Sequence, residues 1–229
     1  MSRAHKPVVD LRTYRIRRGG MPLFLRLAET IVLPVMLRHI GPPLAYYVTD
    51  IGPQDEVMHL WGFDSLGDME ARRRARNLDP QWPQYAVASE GLIERQETRV
   101  VRRVAFPVLD DAPAPDAAKT VVEFRITSIR RGTMVDFQRI LLAIALPVQL
   151  RHLGAPVALY VSEIGPQNEL IQLWAFDSLA DLETRRAARD REPAWAEYLA
   201  ATESMITSEL TRAVRRVQFG ALTPPRNVT

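Results

Sequence analysis

The chain has 229 residues and a formal net charge of +3, with 47% hydrophobic and 25% charged residues. This balance is typical of a folded globular protein, and the length suffices for one large domain or two smaller ones. The absence of cysteine excludes a disulfide framework, a thiolate metal site and a cysteine nucleophile.

Charge and hydropathy patterns argue against nucleic-acid and membrane partners. The first ten residues lack the apolar stretch of a secretory signal, and the apolar run "ILLAIALPVQL" (140–150) is too short to span a bilayer. The basic run "ARRRAR" (71–76) predicts a solvated helix face, because no second basic element accompanies it. Nearly all basic residues are arginines, with lysine only at Lys6 and Lys119, and this composition favours a bacterial gene of high GC content. We therefore expect a bacterial, cytoplasmic protein.

The first elements predict a strand, a helix and a hairpin. "VVDLRTYRI" (8–16) alternates and is rich in β-branched and aromatic residues, which predicts a strand. "MPLFLRLAETIVLPVMLRHI" (21–40) has apolar residues at helical spacing, with a kink expected at Pro34 and a C-terminal cap at Gly41. "PLAYYVTDI" and "EVMHLWGFD" are predicted strands of an antiparallel hairpin, joined by the turn "GPQD".

The next elements are two predicted helices and a final strand, which complete the first structural unit. "DSLGDMEARRRARNL" predicts a helix with Ser65 as N-cap and Asp68 three residues later. A short helix follows, with Asp79 as its predicted N-cap and Pro80 at its first position. "ETRVVRRVAF" is the last predicted strand. The order βαββαβ predicts an α+β, ferredoxin-like unit with helices on one face of the sheet.

The same unit occurs twice. Residues 8–106 align without a gap with residues 121–219, and about half of the paired positions are identical. We expect a first domain at 1–109, a Pro/Ala/Asp-rich linker at 110–119 and a second domain at 120–229. An uncovered sheet face would be a large apolar patch. We therefore expect the two sheets to pack face to face as an α+β barrel, closed within one chain or between two chains.

The motif "RHIG…YYVTDIGPQ…LWGFDSL", with its counterpart in the second copy, resembles the NIPSNAP family. The resemblance covers almost the whole chain outside the linker and tails. It implies a dimeric α+β-barrel architecture and little about chemistry, because the biochemical role of the family is poorly defined. Relatives by fold analogy include cofactor-free monooxygenases, haem-handling barrels and small-molecule isomerases or cyclases.

Strand alternation predicts which side chains point away from the helices, into a lumen between the sheets. In the first copy the predicted lumen set is Asp10, Arg12, Tyr14, Tyr47, Thr49, His59, Trp61 and Phe63. In the second copy it is Glu123, Arg125, Thr127, Tyr160, Ser162, Gln172, Trp174 and Phe176. Aromatic walls with a few polar groups are typical of a small-molecule pocket. The alternative is that the ion pairs and tryptophans simply fill the interface between the sheets.

Candidate site residues follow from this set. We expect proton transfer at His59, Tyr14 and Tyr47. Ligand binding is expected at a second group of residues, in which guanidinium groups anchor an oxygen and aromatic rings stack. That group comprises Arg12, Arg125, Trp61, Trp174, Tyr160, His39 and His152. For the two histidines a structural role near a helix C-terminus is favoured, and the resemblance raises a ligand-facing role.

The functional hypothesis is a barrel that binds a small apolar or aromatic molecule. It could be a cofactor-independent enzyme in bacterial specialised metabolism. We expect no metal and no cofactor, because the sequence has no metal-ligand cluster, phosphate loop or nucleophile-elbow serine. The alternatives are a non-catalytic protein-interaction or scaffold module and a haem-binding barrel that uses His39 or His59. Homo-oligomers through sheet or helix faces remain open.

The two copies are expected to differ in reactivity. The first has Tyr14 and His59 where the second has Thr127 and Gln172. Tyrosine and histidine can transfer protons, whereas threonine and glutamine mainly form hydrogen bonds. Any catalysis is therefore expected in the first copy, and neutral drift is the alternative.

Overall fold

The computed structural model describes residues 6–104 and 118–222 and confirms two βαββαβ repeats of α+β class. The first repeat comprises β1 (Val8–Ile16), α1 (Met21–Leu27), a π-helical segment (Ala28–Val32), α2 (Leu33–His39), β2 (Ala45–Ile51), β3 (Glu56–Phe63), α3 (Leu66–Asn77), α4 (Trp82–Ala88) and β4 (Ile93–Arg103). Residues 110–117 of the predicted linker lie outside the described residues.

The second repeat has the same order. It comprises β5 (Val121–Ile129), α5 (Met134–Ile140), a π-helical segment (Leu141–Ala145), α6 (Leu146–Leu153), β6 (Ala158–Ile164), β7 (Glu169–Phe176), α7 (Leu179–Asp190), α8 (Pro193–Thr202) and β8 (Ile206–Arg216), with short 3₁₀ turns at Glu203–Met205 and Gly220–Leu222. The described chain forms two compact units. The first contains residues 6–49, 53–100 and 216–222, and the second contains 50–52, 101–104 and 118–215.

The long helix of each repeat contains a π-helical segment directly before the turn that holds its proline. Pro34 and Pro147 each lie in the first turn of the α-helix that follows the segment. Proline has no N–H and clashes with the preceding turn, and one wider turn removes the conflict without ending the helix. Gly41 ends the first of these helices with a positive φ of 100°, and its N–H donates to the Met36 carbonyl at 2.9 Å, as the sequence predicts.

The predicted N-cap of α3 is confirmed. Ser65 Oγ accepts a hydrogen bond from the Asp68 amide at 3.0 Å, and Ser178 does the same for Asp181 at 3.1 Å in the second repeat. The predicted start of α4 was wrong by two residues, since the helix begins at Trp82. Asp79 lies in the turn before it and accepts a hydrogen bond from the Gln81 amide at 2.9 Å.

Antiparallel pairing sets the register within each repeat. β3 pairs with both β1 and β2, which places His59 opposite Arg12 on one side and opposite Tyr46 on the other. Directly opposed residues share a sheet face, so these three side chains lie together. In the second repeat β7 pairs with β5 and β6, and β5 also pairs with β8. Gln172 there takes the place of His59.

The prediction of which face meets the helices was wrong for β1 and β3 of the first repeat. The helix-side core contains Tyr14 of β1 and Trp61 of β3, together with Phe24 of the covering helix. The prediction for β2 is confirmed, because Tyr46 and Val48 pack in the helix-side core and Tyr47 lies on the other face. The reason is that both faces are buried: Leu11, on the other face, is as inaccessible as Trp61. Alternation of apolar and polar residues therefore does not distinguish the faces.

The same correction applies to the second repeat. Trp174 belongs to the helix-side core with Phe137, and register places Arg125 and Gln172 on that face. The prediction for Tyr160 of β6 is confirmed, since it is paired with Ile171 and lies on the face away from the helices.

Candidate functional site

A cavity of about 140 Å³ lies in the first repeat, between its strands and the helices that cover them. Its lining is mainly aromatic and aliphatic, with two guanidinium groups and one imidazole. The lining residues are Arg12, Tyr14, Phe24, Val32, Met36, Tyr46, His59, Trp61, Arg76, Trp82, Tyr85, Ile93 and Gln96. All of them belong to the first compact unit, so one repeat forms the whole site.

The structure brings four of the sequence-predicted residues of the first repeat together in this cavity: Arg12, Tyr14, His59 and Trp61. They lie on the helix side of the sheet rather than in the predicted lumen between sheets. Tyr47 does not join them, because it is paired with Met58 and points to the opposite face. This placement argues against Tyr47 as a proton-transfer group of the same site.

His59 is held as a neutral hydrogen-bond donor. The indole N–H of Trp61 donates to His59 Nδ1 at 2.7 Å, so the proton of the neutral ring is assigned to Nε2. The imidazole stacks on Tyr46, with 5.1 Å between ring centroids, and meets the edge of Tyr14 at 4.9 Å. Burial, followed by the positive charge of Arg12, lowers the pKa of His59 to about 3. His59 can therefore donate a hydrogen bond to a ligand but is a poor general base.

Arg12 is fixed from two sides. Its Nε donates to Asp10 at 3.0 Å, and its Nη1 donates to the Tyr14 hydroxyl oxygen at 3.1 Å. Asp10 is buried and also accepts from Arg73 of α3. One carboxylate thus serves two guanidinium groups, which orients Arg12 along the cavity wall.

Arg76 is a charged site residue that the sequence prediction missed. It lies in the basic run predicted to be a solvated helix face, yet it is only 8% exposed and stacks on Trp82, with 4.3 Å from Cζ to the ring centroid. Its Nη2 donates to the amide oxygen of Asn77 at 2.8 Å. Burial, followed by the charge of Arg12, lowers the pKa of Arg76 to about 10. The sequence did contain a signal that could have identified Arg76. Arg73 and Arg76 are three residues apart, and this spacing places both side chains on one side of α3.

The cavity reaches the surface between α4 and β4. Trp82 and Tyr85 of α4 are half-buried, and Gln96 of β4 is exposed. Deep in the site the aromatic rings of Trp61 and Phe24 are inaccessible. The site is therefore an apolar chamber with a polar mouth, an arrangement typical of small-molecule pockets.

The equivalent region of the second repeat is internally hydrogen-bonded. Gln172 Oε1 accepts from the Trp174 indole and from the Gln149 amide, each at 3.3 Å. Arg125 donates to Glu123 at 2.6 Å. Here the glutamine pair occupies the positions that His59 and Met36 have in the first repeat.

The histidines at the ends of the long helices have carboxylate partners. His39 Nε2 lies 2.9 Å from Asp79, which also pairs with Arg38 at 2.8 Å. The hydrogen bond from Arg38 is the largest of the causes that lower the pKa of Asp79 to about 2. His152 Nε2 lies 2.7 Å from Glu192 in the same arrangement. These contacts join each helix end to the turn before α4 or α8, and neither histidine lines the cavity.

Residues 6–104 and 118–222 contain neither a metal-binding cluster nor a membrane span. No group of three histidine, cysteine, aspartate or glutamate side chains there is arranged to hold a metal ion. Within the same part of the chain, no helix has the length and apolar character needed to cross a bilayer.

Comparison with known proteins gives a family and a fold. The NIPSNAP family model matches residues 9–107 and again residues 122–221. A NipSnap homolog of Dictyostelium discoideum is 23% identical over 93% of this chain and 88% of its own length, and NipSnap of Drosophila melanogaster is 23% identical over 93% and 77%. An anthrone oxidase-like protein of known structure superposes with a TM-score of 0.66 at 11% identity, over 95% of this chain and 94% of its own. That likeness shows a shared fold, and the relatives extend the family to eukaryotes.

Proposed function

This chain belongs to the NIPSNAP family, and we propose that the cavity of its first repeat binds a small organic molecule with one apolar or aromatic ring. The observation that carries the proposal is the chamber itself, in which Tyr46, Trp61 and Phe24 meet the donors Arg12 and His59. A packed core of ordinary density has few voids larger than a water molecule. A chamber of this size with convergent polar groups supports a binding site over a packing defect.

The volume limits the size of the ligand. A dry protein cavity of roughly 150 Å³ accepts benzene, whereas drug-sized ligands and cofactors occupy sites of about 300–1,000 Å³. The chamber of about 140 Å³ matches one ring and a small substituent. Haem is too large for it, and His39, the other residue considered for haem ligation, has its Nε2 next to Asp79. These features favour a small-molecule ligand over haem.

The donor set also supports an enzymatic form of the proposal. Arg12 and the Nε2–H of neutral His59 are donors fixed before a ligand arrives. Such preorganised donors stabilise negative charge that develops on a carbonyl oxygen of a ligand. A cofactor-independent reaction on an aromatic carbonyl compound fits this arrangement.

Tryptophan fluorescence can test the binding proposal, because each repeat has one tryptophan at the equivalent helix position. Trp82 lines the cavity, and Trp195 is its counterpart in the second repeat. We expect single-ring aromatic metabolites to change the fluorescence and raise the melting temperature of the protein. Trp82→Phe should reduce the fluorescence change to the part that comes from Trp61, which also lines the cavity, and Trp195→Phe should leave the change intact.

A second pair of variants tests the location independently of fluorescence. Ile93 lines the cavity, and Ile206 occupies the same position in the second repeat. Ile93→Trp should fill the chamber and abolish the ligand-induced rise in melting temperature, whereas Ile206→Trp should leave it intact. If no single-ring compound changes the stability of the wild type, a non-catalytic interaction module becomes the better account.

A further inference from the structure

The two repeats differ in the number of carboxylates near three equivalent arginines, which in the first repeat lie at or next to the cavity. Arg12, Arg73 and Arg76 recur as Arg125, Arg186 and Arg189, but two acidic residues of the second repeat are amides in the first. Gln96 stands where the second repeat has Glu209, and Asn77 stands where it has Asp190. Each replacement keeps a similar shape and removes one negative charge.

The second repeat neutralises its three guanidinium groups. Glu123 pairs with Arg125 at 2.6 Å and with Arg186 at 3.0 Å. Glu209 adds a second carboxylate to Arg125 at 3.6 Å.

The third guanidinium group of the second repeat has its own partner. Asp190 pairs with Arg189 at 2.7 Å. Among the described residues, these three arginines therefore have three carboxylates, and the cluster is neutral.

The first repeat leaves its cluster positively charged. Asp10 is shared by Arg12 and Arg73, and Arg76 has only the neutral amide of Asn77 and the ring of Trp82. Within the described part of the chain, three guanidinium groups thus have one carboxylate among them. A buried cation without a counter-ion costs free energy, so the imbalance needs a compensating ligand charge.

We propose that the ligand of the first repeat is a small organic carboxylate, whose anionic group lies at Arg12 and Arg76 while its ring fills the chamber beside Tyr46 and Trp61. The inference rests on the proposed binding function and specifies its ligand class. In the second repeat Glu209 supplies the negative charge that the ligand supplies in the first. The second repeat is thus a self-neutralised copy that does not take the anion.

The experiment compares benzoate with benzamide, which has the same ring and no charge. Binding is measured by calorimetry on the full-length protein at neutral pH. The wild type should bind benzoate at least about tenfold more tightly than benzamide, because ionic hydrogen bonds to guanidinium are stronger than neutral ones. The double variant Asn77→Asp/Gln96→Glu should lose this preference, mainly through weaker binding of benzoate.

The second repeat supplies the matched control. Asp190→Asn/Glu209→Gln changes the same kinds of side chain outside the cavity and should leave the preference of the first repeat for benzoate unchanged. Cooperative thermal unfolding of each variant shows that it is folded. Equal binding of benzoate and benzamide by the wild type would overturn the anion inference and leave the binding proposal standing. Failure of both compounds, and of other single-ring aromatics, would overturn both.

Discussion

Replacing His59 with glutamine should make the protein markedly less sensitive to acid. His59 is buried beside Arg12, and its pKa in the folded protein is lowered from 6.5 to about 3. Between these two pH values the unfolded chain binds a proton at this position and the folded chain does not. Stability contributed by the neutral ring is therefore complete above pH 6.5 and is lost as the pH falls from 6.5 toward 3.

The size of the effect follows from the same window. Each pH unit below 6.5 costs about 1.4 kcal/mol, so at pH 4.5 the loss attributable to His59 is about 2–3 kcal/mol. For a chain of this length that corresponds to roughly 5–10 °C in melting temperature. The titratable and charged groups around the ring, namely Asp10, Arg12, Tyr14 and Tyr46, are present in both proteins and largely cancel in the comparison.

Glutamine is a suitable substitute because the second repeat already uses it. Gln172 accepts the indole hydrogen bond of Trp174, so a glutamine at position 59 can accept that of Trp61. Melting temperatures of the wild type and His59→Gln are measured by differential scanning fluorimetry from pH 7.5 to 4.5. The gap between them should shift in favour of the variant as the pH falls. His152→Gln, at a partly exposed histidine, is the control. Parallel pH profiles for wild type and His59→Gln would refute the burial argument.

Three further predictions concern the frame of the site. Asp79→Asn should lower the melting temperature at neutral pH, because Arg38 loses its carboxylate partner. Since the pKa of Asp79 is about 2, the difference from the wild type should persist to pH 4 and vanish as the pH falls toward 2. A constant difference down to pH 2 would contradict this prediction. Ser65→Ala and Ser178→Ala should each destabilise the protein by about 1 kcal/mol in urea unfolding, and no change in either variant would argue against the caps. The isolated segment 2–109 should self-associate in light scattering, as expected if its sheet must pack against a second sheet; a stable, soluble monomer would count against that packing.

The sequence by itself determined the repeat, the order of elements and the caps at Ser65 and Gly41. These features depend on interactions between residues close in the chain, such as Ser65 with Asp68 or Gly41 with the turn before it, and periodicity reports them directly. The family was also accessible from the motifs, because they recur in both copies. Strand alternation and side-chain chemistry alone were enough to single out four residues of the cavity, Arg12, Tyr14, His59 and Trp61.

Only the tertiary structure decided which way those residues point and which others join them. Both faces of the strands are buried, so alternation gave no information on whether Trp61 faces helices or a second sheet. Arg76 looked like part of a solvated run, and only the packing of α3 and α4 shows that it lies buried against Trp82. The charge imbalance at the cavity is likewise invisible until the fold brings Asp10 of β1 next to Arg73 and Arg76 of α3, which are more than sixty residues away in the chain. Burial and electrostatic pairing depend on which residues are close in space, and this proximity is set by the tertiary fold rather than by the local sequence.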